Sequence, residues 1–480
     1  MLTLEQQEVV DTVCSSIGEN KIIAVNAIAG SGKTSTAKAV IETYKPKNGF
    51  YTAFNKAIVT DSAKKFGNLI DCKTIHALAY KYIKPKNIEE LTVLSIKEDL
   101  EYDTKVRLIN KLDDFYTSSY IDIYEYIENN VESYEEELKE LIPIYAIKML
   151  NKEIPVTFNF LLKYLHIMLL NGDITLEKDL LIFDEMQDTT GVMLEIFKLI
   201  NADRKLILGD KFQNIYSFMN TVNAFDKLED LYELRLTKSF RCNNNIANTI
   251  EQFGKLYLTD NFKYTGNDNT TKDNGIVYLS RTNSGLIERM YELIQSNQSF
   301  SLNKDINTIF ALPIALVNAS LGNPVFDKKY KFLEKEYNIY KKNSKNYNNF
   351  FSYLELSLND SIINSTTKLI TRLRNKGVNI FDLRSKVQKV KPNPNIILST
   401  THTFKGLEKD TVYIENDLNT SFINVRNNFS TIAYKTENIS TNNVRQYLTN
   451  EQKELLNLYY VALSRAKTKI LNSEFIYRSN

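Results

Sequence analysis

Ala27-Ile28-Ala29-Gly30-Ser31-Gly32-Lys33-Thr34 follows the short apolar run Lys21 to Asn26, and it opens a stretch whose Ala37, Val40 and Ile41 recur at helical spacing. Strand, glycine loop and helix in that order make a cradle for phosphate groups. The glycines let backbone N–H groups close around phosphate oxygens at a helix N-terminus. Lys33 brings a positive charge to the β and γ phosphates of a nucleotide, and the Thr34 hydroxyl, with Ser35 beside it, suits a magnesium ion.

A phosphate loop needs a carboxylate partner at the end of a neighbouring strand. Leu180-Leu181-Ile182-Phe183 runs straight into Asp184-Glu185-Met186-Gln187-Asp188 and supplies it. Asp184 suits a magnesium ion through its water shell, and Glu185 suits the orientation and deprotonation of an attacking water. The cofactors expected from these two segments are ATP and Mg2+.

Other buried-strand runs occur at Gly49 to Phe54, Lys205 to Leu208, Ile276 to Ser280, Ile396 to Thr400 and Thr411 to Ile414, mostly with helical stretches after them. Alternation of this kind predicts parallel sheets covered on both faces. The runs fall into one group before about residue 235 and another after about 275, so two sheets are expected. Ile88 to Lys152 is acidic and helical in pattern, with Glu135-Glu136-Glu137 expected on a solvated face, and Ser301 to Lys391 is rich in Asn, Lys and Tyr. Both read as helical insertions. The expected boundaries are 1–75 and 155–235 for the first ATP-binding domain, 76–154 for its insertion, 236–300 and 392–480 for the second domain, and 301–391 for a short second insertion.

A chain of 480 residues exceeds one core. Cys14, Cys72 and Cys242 are too few and scattered for a zinc cluster or disulfide framework. With a net charge of +2, affinity for a polyanion must come from local placement of Lys and Arg. The N-terminus lacks the pattern of a secretory leader and no stretch is apolar for a membrane span, so a cytoplasmic protein is expected, nucleoid-associated or in a host cytoplasm if virus-encoded.

Taken in order, these segments resemble superfamily 1 DNA helicases of the UvrD/Rep branch, because Asp184-Glu185-Met186-Gln187-Asp188 is similar to that family's second motif. Leu2-Thr3-Leu4-Glu5-Gln6 resembles its glutamine motif, which implies that Gln6 reads adenine. Asn55-Lys56 and Thr74-Ile75-His76 resemble strand-contacting motifs, the latter being especially close to the F-box DNA helicase subgroup. Gly209 to Phe218 resembles the third motif, which gives Gln213 the γ phosphate and Tyr216 and Phe218 the strand. Thr237-Lys238-Ser239-Phe240-Arg241 resembles the fourth, implying that Phe240 stacks on adenine and Arg241 reaches the γ phosphate. Arg281-Thr282-Asn283 resembles a segment near the strand. Thr400 to Glu408 resembles the fifth motif, with Thr400 and His402 on the strand and Glu408 on the ribose. Tyr459 to Lys467 resembles the sixth, with Arg465 as arginine finger.

The resemblance implies two RecA-like parallel-sheet domains with helical insertions and an ATP site in the cleft between them. It implies an ATP-dependent motor that moves 3′ to 5′ on single-stranded DNA or tailed duplexes in replication, recombination or repair. A monomer in the absence of DNA is expected, with single-strand-binding or replication and repair proteins as the expected protein partners. A translocase that unwinds little, and an ATP-gated DNA-binding subunit of a nuclease or defence complex, are the alternative readings.

Overall fold

The computed structural model describes residues 2–15, 21–85, 87–96, 100, 102–132, 135–268, 274–358, 360–436 and 440–476. The chain divides into two compact units, Met1–Phe240 and Arg241–Asn480. The division falls inside the Thr237 to Arg241 segment.

The first unit contains β1 (Ile22–Ala27), β2 (Phe50–Ala53), β3 (Asp71–Cys72), β4 (Glu177–Asp184), β5 (Thr189–Thr190), β6 (Asn201–Gly209), β7 (Thr221–Val222) and β8 (Leu231–Leu236). Six of these form a parallel sheet in the order β3-β2-β4-β6-β1-β8, and β5 and β7 pair separately. Successive side chains leave a strand on opposite faces, so continuous apolar runs give two cores. Ile23, Val25, Ala27, Ile182 and Leu208 pack with Val9, Val13, Val40 and Ile41 from the helices Leu4–Cys14 and Lys33–Tyr44. Ala24, Leu181, Phe183 and Ile207 pack on the other face with Leu161, Leu165, Ile196 and Phe197 from the helices Phe158–Leu170 and Gly191–Leu199.

Between β3 and β4 the chain is helical at Ile75–Ile83, Tyr102–Thr117, Ile123–Asn130, Glu136–Leu150 and Phe158–Leu170. One expectation is corrected here. Glu136 and Glu137 are exposed, but Glu135 is buried and accepts from Arg107 Nη1 at 3.0 Å. Burying a carboxylate requires such a partner, and Arg107 lies too far away in sequence to be paired with it by pattern.

The second unit contains β9 (Ile276–Ser280), β10 (Ser301–Leu302), β11 (Ile396–Thr400), β12 (Lys409–Ile414) and β13 (Ala466–Leu471), parallel throughout in the order β10-β11-β9-β12-β13. Among the described residues five α-helices lie between β10 and β11, and they share an apolar core with Leu286, Met290 and Leu398. Elsewhere Phe253, Phe422 and Tyr459 pack ring to ring, with the Phe422 and Tyr459 centroids 4.2 Å apart. β8 and β13 were not foreseen in the sequence. Both are edge strands with Glu, Arg or Lys at alternate positions, so neither reads as a buried run. Among the described residues no helix is long and apolar enough to cross a membrane.

Candidate functional site

The phosphate loop leaves β1 at Ala27 and becomes the helix Lys33–Tyr44. Gly30 and Gly32 have φ of 75° and 82°, a region that side chains resist. At Gly32 a Cβ would also lie 2.8 Å from Gln6 Nε2. Gln6 is fixed at both ends of its amide: Oε1 accepts from Thr3 N at 3.0 Å, and Nε2 donates to the Ser31 carbonyl at 3.2 Å.

The segment after β8 is built onto this loop. Ile28 N donates to the Leu236 carbonyl at 3.1 Å, Phe240 N to the Gly30 carbonyl at 2.9 Å, and Ser239 Oγ to the Ala29 carbonyl at 2.9 Å. Glu5 accepts from Thr237 N and Oγ1 at 2.7 and 2.6 Å. Phe240, 41% exposed, therefore stands with Leu2, Gln6, Gly32 and Ser35 around a cavity of about 640 Å³. That volume and its flat aromatic wall fit a nucleobase and sugar. Among the described residues the buried Ser31 hydroxyl has no hydrogen-bond partner, as fits a group that phosphate oxygens would engage.

Lys33 Nζ lies 2.9 Å from Glu185 Oε1. Burial draws the ammonium down, but Glu185, Asp184 and Asp210 outweigh it and hold Lys33 above the ordinary lysine value. Asp184 ends β4, nearly fully buried. Burial and the neighbouring Glu185 charge raise its carboxyl above the usual aspartate range, against the opposing effects of Lys33, a hydrogen bond from Tyr51 Oη at 2.7 Å and one from Glu185 N at 2.9 Å. Ser62 Oγ in turn donates to Tyr51 Oη at 3.0 Å. Glu185 has φ 55°, a left-handed conformation that is costly for a residue with a side chain. Its contacts to Lys33, Asp184 and Gln187 hold it there.

Gln187 joins this carboxylate to the end of β6. Its Nε2 donates to Glu185 Oε2 at 2.5 Å and to Asp188 Oδ2 at 3.1 Å, and its Oε1 accepts from Asp210 N at 3.2 Å. Glycine at 209 leaves room for this amide, since a Cβ there would lie 2.3 Å from Gln187 Oε1 and would displace it. Asp210 accepts from Gln213 Nε2 at 2.8 Å and from Phe212 N at 3.2 Å. Sequence reasoning assigned no role to Gln187, Asp210 or Tyr51. Gln187 and Asp210 fall in motif segments and Tyr51 in the strand run Gly49 to Phe54, where it reads as an ordinary buried strand residue.

In the second unit Arg241 Nε donates to Glu408 Oε2 at 2.7 Å, and Arg241 Nη1 to the Ser464 carbonyl at 3.0 Å. Lys467 Nζ lies 3.5 Å from Glu408 Oε1, and burial notwithstanding, these cations hold the Glu408 carboxyl below its ordinary range. Arg465 is 1% exposed, and its guanidinium donates to the Val461 and Leu407 carbonyls at 3.0 and 3.4 Å and to Ser464 Oγ at 2.8 Å. The unit thus groups Arg241, Glu408 and Arg465, three residues that the sequence had chosen from three separate segments.

An AAA domain family model matches residues 6–219. The chain is 26% identical over 548 positions to F-box DNA helicase protein 1 of Schizosaccharomyces pombe, covering 99% of this chain and 58% of that protein. Over 524 positions it is 25% identical to F-box DNA helicase 1 of Gallus gallus, covering 98% of this chain and 49% of that one. These likenesses support a superfamily 1 helicase with resemblance to F-box DNA helicases. It spans about half the length of the curated relatives it matches.

The residues expected on the strand follow the carboxyl ends of the parallel strands, where α/β sheets place ligands. Asn55 and Lys56, after β2, are exposed, and Asn55 caps the helix Lys56–Phe66. Thr74, after β3, caps the helix Ile75–Ile83. His76 Nε2 lies 3.4 Å from Asn159 Oδ1, and burial lowers its pKa. Tyr216 is half-buried beyond β6, and Phe218 lies in the turn Ser217–Met219, its side chain outside the described residues. In the other sheet Ser280 and Thr400 are register partners, which brings Arg281, Thr282 and Asn283 beside Thr400 and His402. Asp417 organises the first of these groups, with Oδ1 accepting from Arg281 N at 3.1 Å and Oδ2 from Thr282 N and Oγ1, each at 2.8 Å. Nothing beside Asp417 in the chain marks it for this role.

Proposed function

We propose that the chain hydrolyses ATP to move 3′ to 5′ along single-stranded DNA and to unwind tailed duplexes. Lys33 and the loop amides would hold the β and γ phosphates, with Ser31 Oγ as a further donor. Thr34 and Asp184 would hold a magnesium ion, which when bound neutralises charge on the phosphate oxygens. Glu185 takes the proton of the attacking water, while Arg241 and Arg465 stabilise the negative charge of the transition state after exchanging their present partners for phosphate oxygens.

The observation that carries this reading is the path from Glu185 through Gln187 and Asp210 to Gln213, in one segment with Tyr216. A change at the γ phosphate would be transmitted along it to residues expected to grip the strand. Stacking on aromatic rings suits any base, as a sequence-independent motor needs.

ATP turnover with and without single-stranded DNA, followed by strand displacement on 3′-tailed and 5′-tailed duplexes, tests the proposal. Strong stimulation by DNA and displacement of the 3′-tailed duplex are expected. Equal rates with and without DNA would remove the motor reading, and nucleotide-dependent DNA binding without turnover would favour a binding subunit.

A further inference from the structure

The helices Ile306–Ser320, Ser361–Asn375 and Ile380–Gln388 of the second unit border a cavity of about 310 Å³. Its floor is made of buried Val317, Ile370, Leu373 and Ile380. Leu321, 62% exposed, and Phe381, 36% exposed, stand at the rim with Arg374. A smaller hollow of about 70 Å³ shares Gly377, Val378 and Asn379 with it and adds Tyr291, Leu383 and Lys386. The proposed motor uses none of these residues.

The surroundings are strongly basic. From Lys368 to Lys391 the chain has eight Lys or Arg residues and a single acidic one, Asp382. Arg374, Lys376, Lys386 and Lys389 are exposed, and Lys376 Nζ lies 5.2 Å from the centroid of the Tyr291 ring beside the smaller hollow. A nucleic-acid backbone would satisfy the cations and leave the apolar floor unfilled, because phosphate contacts are polar and run along a surface. A polypeptide satisfies both. One large side chain together with its own backbone occupies a hollow of this size, and its neighbours in sequence carry the countercharge.

We propose that this groove docks an acidic peptide segment of a partner protein, with a large apolar side chain seated between Leu321 and Phe381 and carboxylates facing Arg374, Lys376 and Lys386. The site stands apart from the motor reading, so either can fail alone. Carboxylates steer the segment in, and burial of the anchor sets how long it stays.

The test is fluorescence anisotropy on the full chain with labelled peptides of alternating Asp and Glu around a central Phe, Leu or Met, and a matched peptide with central Ala. Saturable binding is expected for at least one of the three, weakened about tenfold or more by the Ala centre, by Leu321→Ser and by Arg374→Ser. Both substituted residues are exposed, so circular dichroism and DNA-stimulated ATP turnover should stay unchanged. Absence of saturation by all three up to about 1 mM peptide overturns the proposal. Equal binding by the Ala peptide or by the two variants overturns it as well. So does single-stranded DNA that displaces the peptide and itself loses affinity in both variants, since the patch would then be a nucleic-acid surface.

Discussion

Gln187 bonds Glu185 through its amide nitrogen, at 2.5 Å, while its oxygen takes the Asp210 amide at 3.2 Å. One side chain thus fixes the orientation of the expected base and the start of the segment that carries Gln213 and Tyr216. Removing it frees the carboxylate to turn and strands a buried N–H. Gln187→Ala should cost about 1–3 kcal/mol of stability through that unsatisfied amide. It should also cut the stimulation of ATP turnover by single-stranded DNA about tenfold or more, with nucleotide affinity little changed. Turnover measured over a DNA titration decides this, and an unchanged stimulation ratio would mean that the two segments communicate by another route.

Lys33 and Glu185 form an ion pair that a phosphate bound at the proposed site would enter. Lys33→Ala should abolish turnover and weaken ATP binding together. Glu185→Gln keeps a polar group of the same shape but no base, so turnover should fall by about 10²–10⁴-fold while ATP still binds. Steady-state turnover and a nucleotide-binding titration on the same preparations separate the two, and near-normal hydrolysis by either variant contradicts the assigned site.

Phe240 is exposed because its backbone, not its ring, is tied to the phosphate loop. A base stacked on an aromatic ring is worth about 1–3 kcal/mol by alanine substitution, so Phe240→Ala should weaken ATP binding roughly tenfold to a hundredfold. Phe240→Tyr should preserve it. If both variants bind ATP as the parent does, the base lies elsewhere.

Asp417 accepts three hydrogen bonds from Arg281 and Thr282, and a Cβ at Gly285 would lie 2.6 Å from its carboxylate. Asp417→Ala leaves those donors without a partner and releases the loop after β9. Affinity for single-stranded DNA should drop about tenfold with ATP affinity unchanged. Parallel titrations with labelled DNA and labelled nucleotide provide the check, and an equal loss of both would show general unfolding of the unit.

Lys163 is buried in the helix Phe158–Leu170 and donates to the Ser118 and Tyr120 carbonyls. Burial pushes its pKa from 10.5 down to about 7, against a smaller opposing effect of Glu195. Between those two values the unfolded chain holds a proton that the folded chain lacks, so stability should rise with pH from about 7 to about 10.5, while below 7 Lys163 adds no pH dependence. Lys163→Met should flatten that rise. Comparing thermal unfolding midpoints of parent and variant at pH 7 and pH 10 measures it. An equal rise in both would assign the slope to other groups.

Residue chemistry at fixed short spacing was enough to reveal the phosphate loop, the Asp184-Glu185 pair, and the strands whose apolar runs are buried on both faces, because each is a local pattern. The edge strands β8 and β13 were not legible, since Glu233 and Arg235 in one and Lys467 and Lys469 in the other break the apolar run. Tyr51 and Asp184, or Arg281 and Asp417, lie more than a hundred residues apart, and their hydrogen bonds exist only once parallel strands set the register. The same holds for Glu135, which its sequence neighbours place in solvent and Arg107 allows to be buried. Sequence by itself therefore determined which groups could act on phosphate. Tertiary structure decided which of them are held in place, because the partners that orient a buried polar group are selected by distance in space and leave no mark on the residues beside it in the chain.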